Sequence, residues 1–429
     1  MAQRKQLTVL RHRDFRLLFW GQTASNFGSN AVAVALAIYV TRTTGSATDL
    51  GLILAAQTVP FVVLLLFGGV WADRLPRHRV MIVSDLFRAA VHGLLAVLIL
   101  IGTARVWEIA LIEAAFGVAW AFFQPAETGL MPQTVPEGEI QAARALMEGS
   151  WNLSLVLGPS VATALVLTVG AGEAFVADAL SFVVSALTLA PIRPRFRGQD
   201  ITLKRETLFH ELRAGFREVS SRPWVWVTIS AFSVTLMCSY ATWMALGPEV
   251  TRDVYGQVGL YGVFVALYGV GCVSGSLLAT VWRSARPLRD TLLLAVVWPA
   301  MSIVLAIGLP RAITGAWMVL AGVQNGLFMV TWETALARHI PPSVLSRVSS
   351  YDWMGSLALL PVGFVLAGPL ASLLGARVVL GAGGALGVLA TLVTLLPRST
   401  RQLTNEPRHA SAPVKVSGPA PPGLGSAEG

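Results

Sequence analysis

The sequence predicts an all-α multi-pass membrane protein with twelve transmembrane helices in two six-helix halves. Three observations predict this class: an apolar composition, twelve long apolar runs, and an internal repeat that relates the two halves. Of the 429 residues, 54% are hydrophobic and 13% are charged, whereas about a quarter of an ordinary soluble domain is charged. The mean hydropathy is +0.65. A soluble globular enzyme is therefore excluded.

Long apolar runs define the candidate spans. A helix needs about 20 mostly apolar residues to cross a bilayer, because the hydrocarbon core is about 30 Å thick and each residue rises about 1.5 Å. Nine runs contain no formal charge, and three more contain one or two formally charged residues. In chain order the spans are Leu17–Thr41, Leu50–Ala72, Val80–Ala104, Val106–Pro125, Gly149–Gly172, Ala174–Pro191, Pro223–Pro248, Val254–Trp282, Thr291–Pro310, Ala312–Trp332, Trp353–Ala376 and Val378–Pro397.

The basic residues divide unevenly between the two sides of these spans. If the N-terminus is cytoplasmic, 26 of the 32 Lys and Arg residues lie in cytoplasmic segments and five in outer loops. Membrane proteins carry such an excess on the cytoplasmic side. Both termini are therefore predicted to be cytoplasmic. Insertion into a membrane accounts for the net charge of +9, and no nucleic-acid partner is expected, because the basic residues are scattered over loops.

The same pattern divides the chain into four segments. These are an N-terminal six-helix half (1–192), a cytoplasmic linker (193–222), a C-terminal six-helix half (223–397) and a cytoplasmic tail (398–429). In the linker, Leu208, Leu212, Phe216 and Val219 have helical spacing, which predicts a helix on the membrane surface. The tail is rich in Pro, Gly and Ser and is predicted to be disordered.

An internal repeat supports two related halves. At an offset of 206 residues, Glu-Thr, Pro, Arg and Gly-Pro recur in the same order with small changes of register. The matching residues are Glu127, Pro136, Arg144, Gly158 and Pro159 in the first half and Glu333, Pro342, Arg347, Gly368 and Pro369 in the second. Two unrelated helix pairs with similar loops are the alternative. Six-span halves related by an axis along the membrane normal are typical of transporters with the substrate path between the halves.

A charged loop joins the second and third spans. It contains Gly69, Asp73, Arg74 and Arg77 in the pattern Gly-x3-Asp-Arg-x2-Arg. Such a loop could be a simple cytoplasmic anchor. Its spacing, however, resembles the loop motif of the major facilitator superfamily, in which the glycine permits close helix contact and the charged residues latch the closed inner gate. The glycine usual before the last arginine is replaced by Pro76.

The resemblance extends from about Leu10 to Pro397 and is closest to the branch of macrolide-efflux proteins and the enterobactin exporter. The other matching motifs are Phe15-Arg16, Ser25-Asn26-x-Gly28, Pro125-Ala126, Gly158-Pro159, Asp178 and Tyr261-Gly262. The resemblance implies the twelve-helix major facilitator fold, alternating access, proton antiport and helix packing at Gly158 and Pro159. The fourth span lacks the arginine that many drug/proton antiporters carry there.

Ionisable residues inside apolar spans are costly to bury and mark functional candidates. Asp85 and Arg88 share a helix face and are predicted to pair. Glu113 lies inside the fourth span and is the candidate proton carrier or partner of a cationic substrate, with structural hydrogen bonding as the alternative. Asp178 is expected in packing or an outer gate.

An inner gate is expected where the fourth and tenth spans end. Glu127 and Glu333 occupy these ends symmetrically. We expect them to contact Arg144 and Arg347 across the loops that follow.

Polar and aromatic residues on other spans are candidates for the substrate path. Gln22, Asn26 and Asn30 are four residues apart on the first span. The seventh span offers Tyr240 and Trp243, and the tenth offers Gln324, Asn325 and Trp332. Aromatic rings with a few polar groups suit an apolar or amphipathic ligand. The alternatives are helix–helix association for the polar residues and interfacial anchoring for the aromatic ones.

Missing motifs narrow the function further. No phosphate-binding loop, catalytic triad or metal-ligand spacing is present. Both cysteines, Cys238 and Cys272, lie inside predicted spans. We therefore expect no ATP-driven pump, no enzyme, no cofactor and no metal.

These observations predict a secondary active transporter that exports a hydrophobic or amphipathic small molecule, such as a drug, a macrolide-like antibiotic or a siderophore, by alternating access and proton antiport. A proton-coupled importer of a small metabolite is the alternative. A receptor or assembly factor would tolerate Asp73→Asn and Glu113→Gln. The ratio of 29 Arg to 3 Lys suggests a GC-rich bacterial genome. We expect a monomer in the lipid bilayer of the bacterial inner membrane.

Overall fold

The computed structural model describes residues 8–194, 216–282, 284–340 and 342–403, and within these ranges the regular structure is entirely helical. Most of the predicted surface helix of the linker lies outside the described residues, although 216–220 is helical. Most of the predicted disordered tail also lies outside them. The short helix Arg398–Arg401 is described.

Twelve long helical segments, named α1–α12 in chain order, form a bundle. They are α1 (Arg13–Thr43), α2 (Ala47–Arg74), α3 (Arg77–Leu100), α4 (Val106–Leu130), α5 (Ile140–Thr168), α6 (Ala171–Leu189), α7 (Pro223–Tyr255), α8 (Gly259–Val281), α9 (Pro287–Ile307), α10 (Arg311–His339), α11 (Pro342–Leu357 and Leu360–Leu374) and α12 (Ala376–Val393). A π-helical turn, Leu236–Tyr240, lies inside α7. The shorter helices are Thr8–Arg11, Met131–Gln133 and Glu137–Glu139.

Eleven helices in the described parts of the chain are long and apolar enough to cross a membrane. The remaining long helix, α5, has 29 residues and occupies the place of the predicted fifth span. That span was predicted to continue to Gly172. The helix ends at Thr168 instead, because Gly170 adopts φ +148°, which reverses the chain before α6 begins at Ala171.

The helices run alternately up and down, so that each end of the bundle collects one set of connections. We call the end at which α1 begins and α2 ends the basic end, because the Arg-rich connections lie there, and the other the opposite end. At the basic end, Arg77 donates from Nη1 to the carbonyl of Gly129 at 2.8 Å. At the opposite end, Arg377 donates from Nε to the carbonyl of Ala306 at 2.8 Å.

Within the N-terminal half, α3 packs between α4 and α6, α1 packs on α5 and α6, and α2 packs on α4. Glycines permit two of these approaches. Gly117 of α4 lies against the backbone of Gln57 on α2. A Cβ at Gly158 of α5 would lie 2.9 Å from Cβ of Asn30 and 3.1 Å from the backbone nitrogen of Ala31 on α1. Small residues let helix backbones approach closely in membranes.

In the C-terminal half, α8 and α10 cross through two Gly-x3-Gly pairs. Gly271 and Gly275 of α8 lie against the backbone of α10, and Gly322 and Gly326 of α10 lie against the backbone of α8. A side chain at any of these four positions would separate the two helices. This contact sets the rotation of α10 about its own axis and therefore determines which way the face with Gln324 is turned.

The two halves meet at the opposite end of the bundle. Gly51 of α2 lies against the carbonyl of Phe364 on α11, and Gly262 of α8 lies against Thr163 on α5. One apolar cluster, including Leu50 and Leu246, joins both halves there. At the basic end, each half has its own apolar cluster. The N-terminal one includes Phe15, Met81 and Leu130, and the C-terminal one includes Trp224, Leu292 and Trp332.

We expect Gly158→Val to lower the free energy of unfolding by about 1–3 kcal/mol, because the added methyl groups overpack the contact between α5 and α1. Gly149→Val is the matched control on the same helix, since a Cβ at Gly149 meets no atom within 4 Å. Thermal unfolding of both variants in detergent measures the difference. Equal losses would show that valine disfavours the helix itself and that the close approach contributes nothing.

Candidate functional site

A cluster of ionisable side chains is sealed inside the N-terminal half. Asp85, Arg88 and His92 come from α3, Glu113 from α4 and Asp178 from α6, and each is at most 3% exposed. The three α3 residues are three and four positions apart and therefore share one helix face. Ionised groups in such surroundings require partners, since their transfer from water costs several kcal/mol each.

Asp85 and Arg88 form an ion pair, which confirms the pairing predicted from their spacing. The hydroxyl of Ser185 on α6 donates to Asp85 Oδ2 at 2.6 Å. Gln22 of α1 in turn donates from Nε2 to Ser185 Oγ at 3.0 Å. Hydrogen bonds thus connect α1, α6 and α3, and Gln22 belongs to this chain of contacts.

Aromatic rings surround the Arg88 guanidinium. Its Cζ atom lies 3.9 Å from the ring centre of Phe123, 4.3 Å from that of Phe182 and 5.8 Å from that of Phe116. The negative faces of aromatic rings attract a cation, most strongly where water is excluded. Together with Asp85, these rings compensate the buried positive charge.

His92 lies between two carboxyl groups. Its Nδ1 is 2.5 Å from Oδ2 of Asp178, and its Nε2 is 3.6 Å from Oε1 of Glu113. The imidazole stacks on Phe116, with a centroid distance of 4.3 Å and an interplanar angle of 11°. The edge of Phe175 closes another side. The histidine therefore makes one short hydrogen bond and faces a second carboxyl beyond hydrogen-bond distance.

Glu113 is held on one side only. Gln57 of α2 donates from Nε2 to Glu113 Oε2 at 2.7 Å. Among the described residues, Glu113 Oε1, His92 Nε2 and Asp178 Oδ1 have no hydrogen-bond partner. The last of these faces Gly28 of α1, where a Cβ would lie 2.5 Å away. The cluster can therefore bind or release protons without breaking an existing hydrogen bond.

The described residues contain no group of three or more His, Cys, Asp or Glu side chains arranged to hold a metal ion. The side chains of the cluster can bind protons and pair charges.

His92 was not among the site residues predicted from the sequence, although its helical spacing from Asp85 and Arg88 is visible within the third span. Asp178 was expected in packing or an outer gate. The structure instead places it against His92, because α6 packs directly on α3. The pairing depends on which helices are neighbours, and that order is absent from a single sequence.

The residues expected at the inner gate are partly described. The charged neighbours of Glu127 are Arg88, Asp85 and Glu148. Arg144 lies within electrostatic reach of Glu148 on its own helix and of Glu333, which belongs to α10 of the other half. The side chain of Arg347 lies outside the described residues.

The residues of the expected latch are only partly described. Gly69, Asp73 and Arg74 lie in the last part of α2, and their side chains are outside the described residues. Arg77, the fourth member, contacts the end of α4 through Gly129.

The candidate substrate residues lie in both halves. On α1, Asn30 donates from Nδ2 to the carbonyl of Asn26 at 2.9 Å. In the C-terminal half, Trp243 packs on Tyr261, Gln324 is buried, and Asn325 Nδ2 lies 3.9 Å from the sulfur of Cys272.

Tyr240 belongs to a larger aromatic row. Its ring stacks on Trp298 at 6.2 Å, and the stack continues through Phe232, Phe328 and Trp332, with interplanar angles of 10–23°. Trp298 Nε1 also donates to the hydroxyl of Tyr268 at 3.0 Å. The two ends of the row, Tyr240 and Trp332, were predicted from the sequence. The three rings between them come from α7, α9 and α10 and were not. Phe232 and Tyr240 are half-buried, whereas Trp298, Phe328 and Trp332 are buried. The half-buried rings suit a flat or apolar ligand.

Solved structures with this architecture are membrane transporters. A bacterial homolog of the human lysosomal transporter Spinster, in an inward-facing and unoccupied conformation, is 14% identical with a TM-score of 0.71, covering 93% of this chain and 97% of that one. A D-xylose–proton symporter is 12% identical with a TM-score of 0.69, covering 92% and 100%. At these identities the similarity shows the fold, which is that of a major facilitator transporter.

The chain thus has the fold of multi-pass membrane transporters. The family model described as Transmembrane secretion effector matches residues 5–417, and the chain belongs to this family of the major facilitator superfamily. The family resemblance predicted from the sequence is confirmed.

Curated relatives cover most of the chain. The multidrug efflux pump Tap of Mycolicibacterium fortuitum is 26% identical over 382 residues, covering 86% of this chain and 92% of that protein. Macrolide efflux protein A of Streptococcus pyogenes is 23% identical over 375 residues, covering 85% and 92%.

We expect Asp85→Ala to lower the free energy of unfolding by about 3–5 kcal/mol, because it leaves Arg88 buried without its counter-charge. Asp253→Ala is the matched control, since Asp253 pairs with Arg252 on the surface at 3.0 Å. There the expected loss is at most about 1 kcal/mol. Thermal unfolding in detergent compares the two. Equal, small losses would mean that the aromatic rings alone stabilise Arg88.

Proposed function

We propose that the protein exports a hydrophobic or amphipathic small molecule across the bacterial inner membrane by alternating access, with protons moving inward. The observation that carries the proton-coupled part is Glu113, a carboxyl inside the membrane-spanning bundle with one oxygen bonded to Gln57 and the other without a partner. The names of the relatives, a multidrug pump and a macrolide efflux protein, support export.

The packing of the halves supports alternating access. They touch at the opposite end and form separate apolar clusters at the basic end. The excess of basic residues supports a cytoplasmic position for the basic end. The described conformation then receives substrate from the cytoplasm, and the export step requires the halves to close at the basic end and separate at the other. Residues 1–192 and 223–397 are the two moving halves, and 193–222 is the cytoplasmic linker between them.

Glu113 is the proposed exchange site for the proton. A protonated carboxyl is neutral and suits apolar surroundings, whereas a carboxylate requires a counter-charge. An inward-moving proton supplies about 2.3 kcal/mol per 100 mV of membrane potential. This energy supports a roughly fifty-fold concentration ratio of the exported molecule for each charge that moves.

The aromatic row is the proposed substrate surface. Tyr240 and Phe232 are its half-buried members. Trp243, Gln324 and Asn325 are further proposed substrate residues in the same half. The N-terminal half contributes Asn26 and Asn30. These residues carry few fixed charges. A binding surface of this kind fits a macrolide-like antibiotic or another hydrophobic drug better than a sugar or an organic anion. Import of a small metabolite would need a denser set of polar contacts.

The basic end carries the proposed gate. Arg144 of one half lies within electrostatic reach of Glu333 of the other, so that closure would strengthen an attraction between the halves. Glu127 and Arg347 are the remaining gate residues. Gly69, Asp73, Arg74 and Arg77 form the proposed latch, with the Arg77 contact to α4 as its described part. A single chain in the lipid bilayer suffices for this cycle, and we propose that it works as a monomer.

Accumulation of labelled hydrophobic drugs in expressing cells tests this function. The protein should lower accumulation, a protonophore should abolish the effect, and Glu113→Gln should reduce export at least tenfold, because the amide cannot exchange a proton.

Glu108→Gln is the matched control on the same helix, since Glu108 Oε2 accepts a hydrogen bond from the backbone of Arg105 at 2.9 Å. It should export like the unmodified protein. Full export by Glu113→Gln would remove Glu113 from the mechanism, and protein-dependent uptake of a drug would replace export with import.

A further inference from the structure

The charges of the sealed cluster do not balance unless protons are bound. Arg88 and Asp85 neutralise each other. The remaining groups are His92, Glu113 and Asp178, which are at most 1% exposed. With a neutral imidazole and two carboxylates, this group would carry two uncompensated negative charges in apolar surroundings. Such charges are far too costly to persist in the folded protein.

Two protons restore neutrality, and the geometry distinguishes their places. His92 Nδ1 and Asp178 Oδ2 are 2.5 Å apart, close enough for a charge-assisted hydrogen bond. His92 Nε2 and Glu113 Oε1 are 3.6 Å apart, which exceeds hydrogen-bond distance. One proton therefore belongs to the histidine–aspartate pair, and the other belongs to Glu113.

We propose that His92 and Asp178 keep one proton throughout the transport cycle, as an imidazolium–carboxylate pair, and that His92 is a positioning residue that sets the pH at which Glu113 exchanges its own proton. This inference rests on the proposed proton-coupled export. The exchange itself is an acid–base step: the Glu113 carboxylate gains a proton to become a carboxylic acid and later releases it.

Charged side chains face His92 from α4, from α6 and from its own helix, α3. Asp178 faces it from α6 and Glu113 from α4, while Arg88, already paired with Asp85, shares its own helix. From α2 and α1 the cluster receives the neutral side chains of Gln57 and Gln22. The imidazolium is thus the positive charge nearest to Glu113, with His92 Nε2 3.6 Å from Glu113 Oε1.

This placement fixes the direction of the effect. The positive imidazolium stabilises the ionised form of Glu113, so that Glu113 releases its proton at a lower pH than it would beside a neutral group. At a separation of about 4 Å, removal of a unit charge is worth more than one pH unit even with strong screening by the protein.

The test measures drug transport by purified protein in liposomes as a function of pH, with the same pH on both sides and a drug gradient as driving force. In His92→Gln, the stabilising imidazolium is lost and Asp178, left without a counter-charge, becomes protonated, so the pH of half-maximal transport should rise by more than one unit. In the double variant His92→Gln/Asp178→Asn, the amide that replaces the carboxyl is neutral like the protonated Asp178, and the midpoint should rise by a similar amount.

His12→Gln is the matched control, because His12 also pairs with a carboxylate, Glu139, at 3.1 Å, but outside the cluster. Its midpoint should not move. The double variant keeps the charge balance and carries the test if the single variant does not fold. An unchanged midpoint in a folded cluster variant overturns the inference.

Nitrogen NMR of the histidine-labelled, unmodified protein gives a second readout that needs no variant. One imidazole should stay protonated at both nitrogens across the range of about pH 5 to 8, in which ordinary histidines titrate. Titration of every histidine signal in that range overturns the inference. Drug transport by the unmodified protein that moves no protons is a different result, since it would reject the proposed coupling and leave the NMR outcome standing.

Discussion

The need to neutralise charge without water governs the N-terminal half. Five ionisable side chains lie where the membrane leaves them no solvent, and each is stabilised by another member, a hydrogen bond or an aromatic ring. The helices around the cluster have to be near neighbours for these contacts to form, which is why Gly28 and Gly117 lie at their crossings. Packing and charge pairing therefore depend on each other: the close helices exclude water, and the paired charges make that exclusion tolerable.

A single helix relates this cluster to the contact between the halves. Gln57 of α2 holds Glu113, and Gly51, two turns nearer the opposite end, lies against Phe364 of the other half. A rigid helix that touches both places is a physical route by which proton binding could bias one arrangement of the halves over another. The C-terminal half has a different composition, with its stacked aromatic row in place of charges. We therefore propose that proton exchange belongs to the N-terminal half and that most of the substrate contact belongs to the C-terminal half.

The sequence predicted the fold well, because twelve apolar runs, one charge bias and one repeat all follow from crossing a bilayer. It also predicted the Asp85–Arg88 pair, since residues three apart on a helix must meet. It failed where helix neighbours decide the outcome. His92 pairs with Asp178 across 86 positions of the sequence. The aromatic row was not predicted for the same reason, because residues of three helices contribute to one stack.

We propose above all that the protein exchanges outward movement of the drug for inward movement of protons. Liposomes that contain the purified protein test it directly. With an acidic lumen and an alkaline exterior, a labelled hydrophobic drug should accumulate inside beyond the level of protein-free liposomes, and a protonophore should abolish the excess. Accumulation only in liposomes with the opposite gradient would show that drug and proton move together, and accumulation unaffected by either gradient would show that protons do not drive transport.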